Sequence, residues 1–192
     1  MRWTIASLWA RDSITSYFLK MPMTGVDPTL FEFLGSAQDY AADIHEIFGG
    51  APLFEQLDLA ETTLLCSFMA VYSAHKNTVL MRQGESPDHM VILLTGSAEA
   101  VRTDADGTVT ILHCMKPGES FGELAMLDGD PLGASCVSTE PVDFVLMSRQ
   151  AFKDVLLTLP RLGNKLLMLF LHVVSQRLQA AESHLPAQDL KY

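Results

Sequence analysis

The feature that most restricts the fold of this chain is a run of short strand-like segments between residues 70 and 148. Turn sequences such as "DADG", "KPG" and "DGDP" separate these segments. Strands that recur about every 8–12 residues, with no helices between them, predict an antiparallel sandwich or jelly-roll barrel. "FGELAML" is the exception, because it predicts a single helical turn where a strand is expected. The strand-like segments are "VYSAHK", "TVLMRQ", "MVILLT", "SAEAVRT", "TVTILHCM", "ASCVST" and "VDFVLMS".

Helical patterns precede the strands. Three segments, "TLFEFLG", "QDYAADIHEIF" and "LDLAETTLLCSFM", are predicted helices. In the last of them Asp58 precedes Glu61 by three residues, which is the spacing of a capping box. A further helix, amphipathic in pattern, is predicted over residues 1–20. Its apolar side chains are Trp3, Leu8, Trp9 and Phe18.

Two more helices follow the strands. Ser148 is the predicted N-cap of "RQAFKDVLLTL", and Pro160 starts a long helix that runs to about His184. The fold class is therefore mostly β with flanking helices: an antiparallel jelly-roll barrel with N-terminal helices and a long C-terminal helix.

The long helix has two apolar stripes, whereas a helix on the surface of a domain needs only one. A second copy of the chain is the simplest partner for the other stripe, because twofold dimers are the commonest soluble assembly. We therefore predict a homodimer through residues 160–184. One stripe is Leu162, Leu166, Leu169 and Val173, and the other is Leu167, Leu171, Val174 and Leu178.

Charge and composition argue against several function classes. Thirteen Lys and Arg against 23 Asp and Glu give a net charge of −10, which repels a nucleic-acid backbone. Only "LPAQDLKY" follows the long helix, which is too short for a helix-turn-helix motif. The longest apolar run, "LLMLFLHVV", is too short to span a membrane. The three cysteines have no CxxC spacing and are predicted to be buried thiols, so we predict a cytoplasmic protein with no direct contact with nucleic acid or membrane.

Several of these segments resemble the cyclic nucleotide-binding domain family. "QGESPDHMVILLTGSAEAV" resembles that family's strand–turn–strand signature, and "PGESFGELAML" resembles its phosphate-binding cassette. "LPRLGNKLLMLFLHVVSQRLQ" is similar to the dimerisation helix of its catabolite-activator branch. The resemblance implies an N-terminal helical extension over residues 1–46, the binding barrel over 47–159, and a dimerisation helix with a tail over 160–192. It also implies a cyclic AMP or cyclic GMP ligand and a regulatory, non-enzymatic role that involves an unidentified protein partner.

The resemblance assigns roles around the cassette. Gly122 lets the backbone approach the ligand, the amides of Leu124 and Ala125 face its phosphate, and Glu123 accepts from a ribose 2′-hydroxyl. Phe121 and Leu124 also suit a core position. The predicted ligand-binding set is Phe121, Gly122, Glu123, Leu124, Ala125, Leu132, Ala134 and Ser135, in which Ser135 donates to the phosphate or is simply a strand hydroxyl.

One position departs from the pattern of the family. Leu132 stands where its members carry an arginine that pairs with the phosphate through two parallel hydrogen bonds. Without that arginine, binding of a cyclic phosphate is weaker by about 2–5 kcal/mol. Arg82 and Arg102 are poor replacements, because they lie on other strands. The alternative is a degenerate module that serves protein interaction, or that binds another ligand such as a cyclic dinucleotide or an apolar effector.

A metal-dependent jelly-roll enzyme is a third hypothesis, which the sequence does not favour. Such a site needs clustered ligands, for example two histidines separated by one residue together with a carboxylate. His75, His89 and His113 are isolated from one another. We therefore predict no metal and no catalytic residues.

Overall fold

The computed structural model describes residues 30–50 and 56–183. Their strands form two antiparallel sheets, one in the order β1-β2-β9-β4-β7 and the other in the order β3-β8-β5-β6. The predicted class, antiparallel β with flanking helices, is confirmed. The strands are β1 Glu32–Ser36, β2 Ala70–Ala74, β3 Val79–Met81, β4 His89–Leu93, β5 Ala98–Thr103, β6 Val109–Met115, β7 Ser120–Phe121, β8 Ser135–Ser138 and β9 Val142–Ser148.

Helices lie before, within and after the strands, and their starts follow the predicted capping. The Asp58 side chain accepts from the Glu61 amide while the Glu61 side chain accepts from the Asp58 amide, as expected for a capping box. The Ser148 hydroxyl accepts from the Ala151 amide at 3.0 Å. The helices are a 3-10 turn Ala37–Tyr40, α1 Ala41–Gly49, α2 Leu59–Cys66, α3 Glu123–Asp128, α4 Arg149–Thr158 and α5 Pro160–Ser183. Among the described helices, none combines the length and apolarity needed to cross a bilayer.

The predicted helix over "TLFEFLG" is wrong. Residues Glu32–Ser36 form strand β1, which pairs with β2 at the edge of the larger sheet. Phe33 packs edge-on against Tyr72 with ring centroids 5.4 Å apart, so tertiary packing overrides the local helical pattern. The predicted helix at residues 1–20 lies outside the described residues, and the division at residues 46 and 159 stays a prediction.

The two faces of the larger sheet serve two different apolar clusters, because successive side chains of a strand point to opposite faces. From β4, Met90 and Ile92 face the helices, whereas Val91 and Leu93 face the other way. The second pair belongs to a cluster, here called the interior cluster, whose other members include Leu80, Met81, Ala125, Leu132 and Phe144. Phe144 of β9 is fully buried in that interior cluster and stacks on Tyr72. Ala125 and Leu132 belong to this interior cluster and Phe121 packs against it, so these three candidate residues lie on the side of the sheet away from α1, α4 and α5.

The two stripes of α5 have different environments. Leu162, Leu166 and Leu169 are 5%, 1% and 3% exposed and pack in the cluster that the helices share with the sheet. On the other face Leu171 is 63% exposed and its neighbour Met168 is 67% exposed. The first stripe thus covers the domain, whereas the second is divided, because Leu167 packs against the same cluster and Leu171 faces outward.

Candidate functional site

The predicted cassette is built from β7, Gly122 and α3. Ser120 and Phe121 pair with Ile92 and Val91 of β4, which fixes where the chain leaves the sheet. Gly122 then adopts a left-handed conformation (φ 86°), and the Met126 amide donates to its carbonyl at 2.8 Å. The single helical turn predicted for "FGELAML" is therefore confirmed as α3.

The space beside Gly122 is occupied by Met81. A Cβ atom at residue 122 would lie 2.8 Å from the Met81 Sδ and closer still to its Cε. The close approach that the sequence assigns to a ligand is thus made by a side chain from the end of β3. Sequence reasoning missed Met81, because Leu80 and Met81 are both buried and strand alternation does not distinguish them.

The Glu123 carboxylate lies inside the fold. Glu123 is 0% exposed, and the Ser120 hydroxyl donates to its Oε2 at 3.4 Å. Ala125 is buried, and Phe121 packs against the interior cluster. Leu124 is 45% exposed, so a core position is wrong for this residue. The first turn of α3 therefore directs one carboxylate inward and one apolar side chain outward.

Leu132 packs into the interior cluster. It is 8% exposed and shares this cluster with Met81 and Ala125. Its amide donates to the Glu85 carbonyl at 2.8 Å, and its carbonyl accepts from the Gly84 amide at 2.8 Å. These two hydrogen bonds hold Leu132 against the β3–β4 turn.

Ala134 and Ser135 follow Gly133, and the first is buried while the second is hydrogen-bonded. Ala134 is 7% exposed. The Ser135 hydroxyl accepts from the Gln83 amide at 2.9 Å, which leaves its hydrogen available for a ligand. The Gln83 side chain in turn pairs with both backbone groups of Thr103 on β5.

The two arginines considered as replacements make other ion pairs. Arg82 lies 3.7 Å from Glu85 and its side chain is 63% exposed. Arg102 lies 3.1 Å from Asp104 and its side chain is 50% exposed. Within the described residues no group of three or more potential metal ligands occurs.

The cysteines only partly match the prediction of buried thiols. Cys66 and Cys136 are buried, and burial raises the pKa of each thiol to about 12. Cys114 on β6 is exposed, so the prediction is wrong for this residue. Every residue of β6 from Val109 to Cys114 is exposed, and the strand lies at the edge of the smaller sheet.

His89, at the start of β4, is expected to make the stability of the fold depend on pH. It is 2% exposed, and its Nδ1 lies 3.3 Å from Asp88 Oδ1. Burial lowers its pKa below the ordinary value of 6.5, while Asp88 opposes that shift. The unfolded chain therefore takes up the proton more readily than the folded chain. The contribution of neutral His89 to the free energy of unfolding is fully present above the ordinary histidine pKa of 6.5. It is lost as the pH falls through the lower pKa that His89 has in the folded state.

We expect wild-type protein to lose more stability than His89→Gln between pH 7.5 and pH 5. The difference approaches about 1.4 kcal/mol for each pH unit over which only the unfolded state is protonated. Urea unfolding of both proteins at each pH measures it. Equal losses in the two proteins would contradict the assignment to His89.

Comparison with known proteins identifies the family. Residues 72–158 match the family model of the cyclic nucleotide-binding domain. A cyclic nucleotide-binding domain from Methylobacillus flagellatus aligns with a TM-score of 0.75 and 30% identity, over 85% of this chain and 92% of that one. The chain belongs to the cyclic nucleotide-binding domain family. Its antiparallel sheets with flanking helices match the fold of that solved domain.

Curated relatives of this domain are regulatory proteins. A CRP-like cAMP-activated global transcriptional regulator of Mycobacterium tuberculosis is 25% identical over 140 residues, which are 73% of this chain and 61% of that protein. A cAMP-dependent protein kinase regulatory subunit of Mycosarcoma maydis is 28% identical over 155 residues, covering 78% of this chain and 27% of that protein. The chain thus spans less than two thirds of the length of these relatives.

Proposed function

We propose that the chain is a regulatory, non-enzymatic module that binds a cyclic nucleotide between α3 and Ser135 and transmits the binding signal through α4 and α5. Membership of the cyclic nucleotide-binding domain family and the names of the relatives above support it. The observation that carries the proposal is the buried carboxylate of Glu123, which follows the left-handed Gly122. A carboxylate in that position is a strong acceptor for a ribose hydroxyl.

The phosphate side of the proposed site consists of backbone and hydroxyl donors. The amides of Leu124 and Ala125 lie in the first turn of α3, where amides have no carbonyl partner within the helix. The Ser135 hydroxyl retains its hydrogen for an anionic oxygen. Met81 has to rotate away from Gly122, and its unbranched thioether allows this because its rotamers are readily exchanged. Binding therefore proceeds without the arginine pair, at reduced affinity.

Leu132 supports a second candidate function, a module that binds no cyclic phosphate and serves protein interaction or another ligand. Leu132 and Met81 fill the interior next to the cassette with apolar side chains. Apolar walls favour an uncharged or apolar effector over a lone phosphate. Binding measurements separate the two candidates.

We expect cyclic AMP or cyclic GMP to bind the purified protein with a sub-millimolar dissociation constant in isothermal titration calorimetry. Adenosine, which lacks the phosphate, is the control ligand. Glu123→Gln should weaken binding about ten- to hundredfold, because the charge-assisted hydrogen bond to the ribose becomes a neutral one.

Glu140→Gln is the matched control, since it removes one carboxylate from an exposed turn between β8 and β9, outside the predicted ligand-binding set. It should leave the affinity unchanged. No heat of binding for either cyclic nucleotide would overturn the first candidate and leave the second.

The same proposal covers the assembly and the location of the protein. Homodimerisation through residues 160–184 is supported by the exposed Met168 and Leu171 on α5. A reducing compartment such as the cytoplasm is favoured by the free state of all three cysteines. An unidentified protein partner would bind α5 and respond to its conformation.

A further inference from the structure

Arg149, the first residue of α4, connects the cassette to the C-terminal helices. Its guanidinium donates through Nε to the Met126 carbonyl and through Nη2 to the Ala125 carbonyl at 2.9 Å. Nη2 also lies 3.4 Å from the Pro87 carbonyl. The same residue's backbone amide donates to the Asp88 carbonyl at 2.6 Å. One side chain thus connects the end of α3, the turn before β4 and the start of α4.

The position of the guanidinium suits the electrostatics of α3. The last carbonyls of a helix lack intrahelical donors and carry partial negative charge, so a cation is favoured there. Gly129 ends α3 in a left-handed conformation (φ 84°), and a Cβ at this residue would lie 3.5 Å from the Arg149 Nη2. The guanidinium therefore packs directly against the C-terminal turn of the cassette helix.

From Arg149 the contacts continue into α5. Phe152, one turn further along α4, packs against Phe170 of α5 with ring centroids 5.5 Å apart. Gly163 of α5 faces Leu156 so closely that a Cβ would lie 3.0 Å from the Leu156 Cα. Such close packing makes α4 and α5 move together, because a packed interface does not deform continuously.

We propose that Arg149 is the positioning residue that couples α3 to α4 and α5. It contacts no part of the predicted ligand set except the Ala125 carbonyl, and it acts by holding the end of α3 against the start of α4. The coupling rests on the proposed function, because it gives the signal from a ligand at α3 a route to the C-terminal helices. It is nevertheless a property of the ligand-free chain.

The first test needs no ligand. Gly129→Ala disturbs the end of α3, because the left-handed conformation of residue 129 disfavours a side chain. Hydrogen exchange of the full chain, followed by mass spectrometry, shows how far the disturbance spreads. With Arg149 present, we expect amide exchange to rise about tenfold in peptides of both α3 and α4, a change typical of losing one hydrogen bond. In an Arg149→Gln background the same substitution should raise exchange in α3 alone.

Two further variants make the test specific. Lys153→Gln removes a positive charge from the exposed face of the same helix and should leave the spread from α3 to α4 intact. Arg149→Lys keeps the charge and should restore part of the spread. If Arg149→Gln does not fold, Arg149→Met takes its place, because it keeps an unbranched side chain and removes every donor. An equal rise in α4 with and without Arg149 would overturn the proposal.

The second test uses cyclic AMP. In wild-type protein we expect the nucleotide to slow exchange in α3, α4 and α5, and in Arg149→Gln to slow it in α3 alone. Protection of α4 and α5 that persists in Arg149→Gln would overturn the coupling. If cyclic AMP changes no peptide of the wild-type protein, the proposed function fails, while the Gly129 test still decides the role of Arg149.

Discussion

Replacing Leu132 with arginine is expected to make the stability of the protein depend on cyclic AMP. Leu132 is 8% exposed within the interior cluster, so an unpaired guanidinium there lowers the free energy of unfolding by about 2 kcal/mol or more. A bound phosphate supplies the missing negative charge and accepts two hydrogen bonds. The affinity for cyclic AMP should rise by about 2–5 kcal/mol, which is roughly 30- to several thousand-fold.

Calorimetry and thermal unfolding with and without cyclic AMP measure both effects. The unfolding temperature of Leu132→Arg should lie below that of wild type without nucleotide and rise steeply with it, because the ligand stabilises only the folded state. Leu132→Met is the control, since it preserves volume without adding charge. Unchanged affinity in Leu132→Arg would mean that another feature closes the site, with Met81 over Gly122 the first to examine.

Gly96→Ala is expected to be the most destabilising single substitution at a turn. Gly96 has φ 73°, and a Cβ there would overlap the carbonyl oxygen of Pro141 and lie 3.2 Å from its carbonyl carbon. The obstacle is backbone, so it cannot rotate aside. We expect a loss of about 3 kcal/mol or more in the free energy of unfolding, measured by urea denaturation.

Gly84→Ala separates the overlap from the conformational strain. Gly84 has φ 83°, but a Cβ there would meet nothing within 4 Å. Only the left-handed backbone is penalised, at about 1 kcal/mol. Equal losses in the two variants would show that the contact with Pro141 is unimportant.

The sequence predicted the elements whose signals are local. Asp58, Ser148 and Pro160 mark the starts of α2, α4 and α5, and the structure begins each helix there because a cap or an N-terminal proline acts within one turn. The strands of the middle of the chain were found for a similar reason, since turn residues separate them. The short α3 was found because "FGELAML" lacks strand character.

What the sequence could not predict depends on contacts between distant residues. Strand β1 exists because β2 offers it a pairing edge and Tyr72 offers Phe33 a ring to pack against. Met81 reaches Gly122 across about forty residues of chain, and no local pattern indicates that contact. No local pattern indicates the role of Arg149, because its carbonyl partners Ala125 and Met126 lie more than twenty residues earlier in the sequence.

The hydrogen bonds at Leu132 involve only its main-chain atoms and those of Gly84 and Glu85. The inward direction of residue 132 is therefore set by the backbone and does not depend on which side chain it carries. The side chain at residue 132 can therefore determine which ligand is preferred without determining the fold of the domain. We expect a substitution at residue 132 to change which ligand the proposed site selects while the loop, the turn and both sheets keep their conformation.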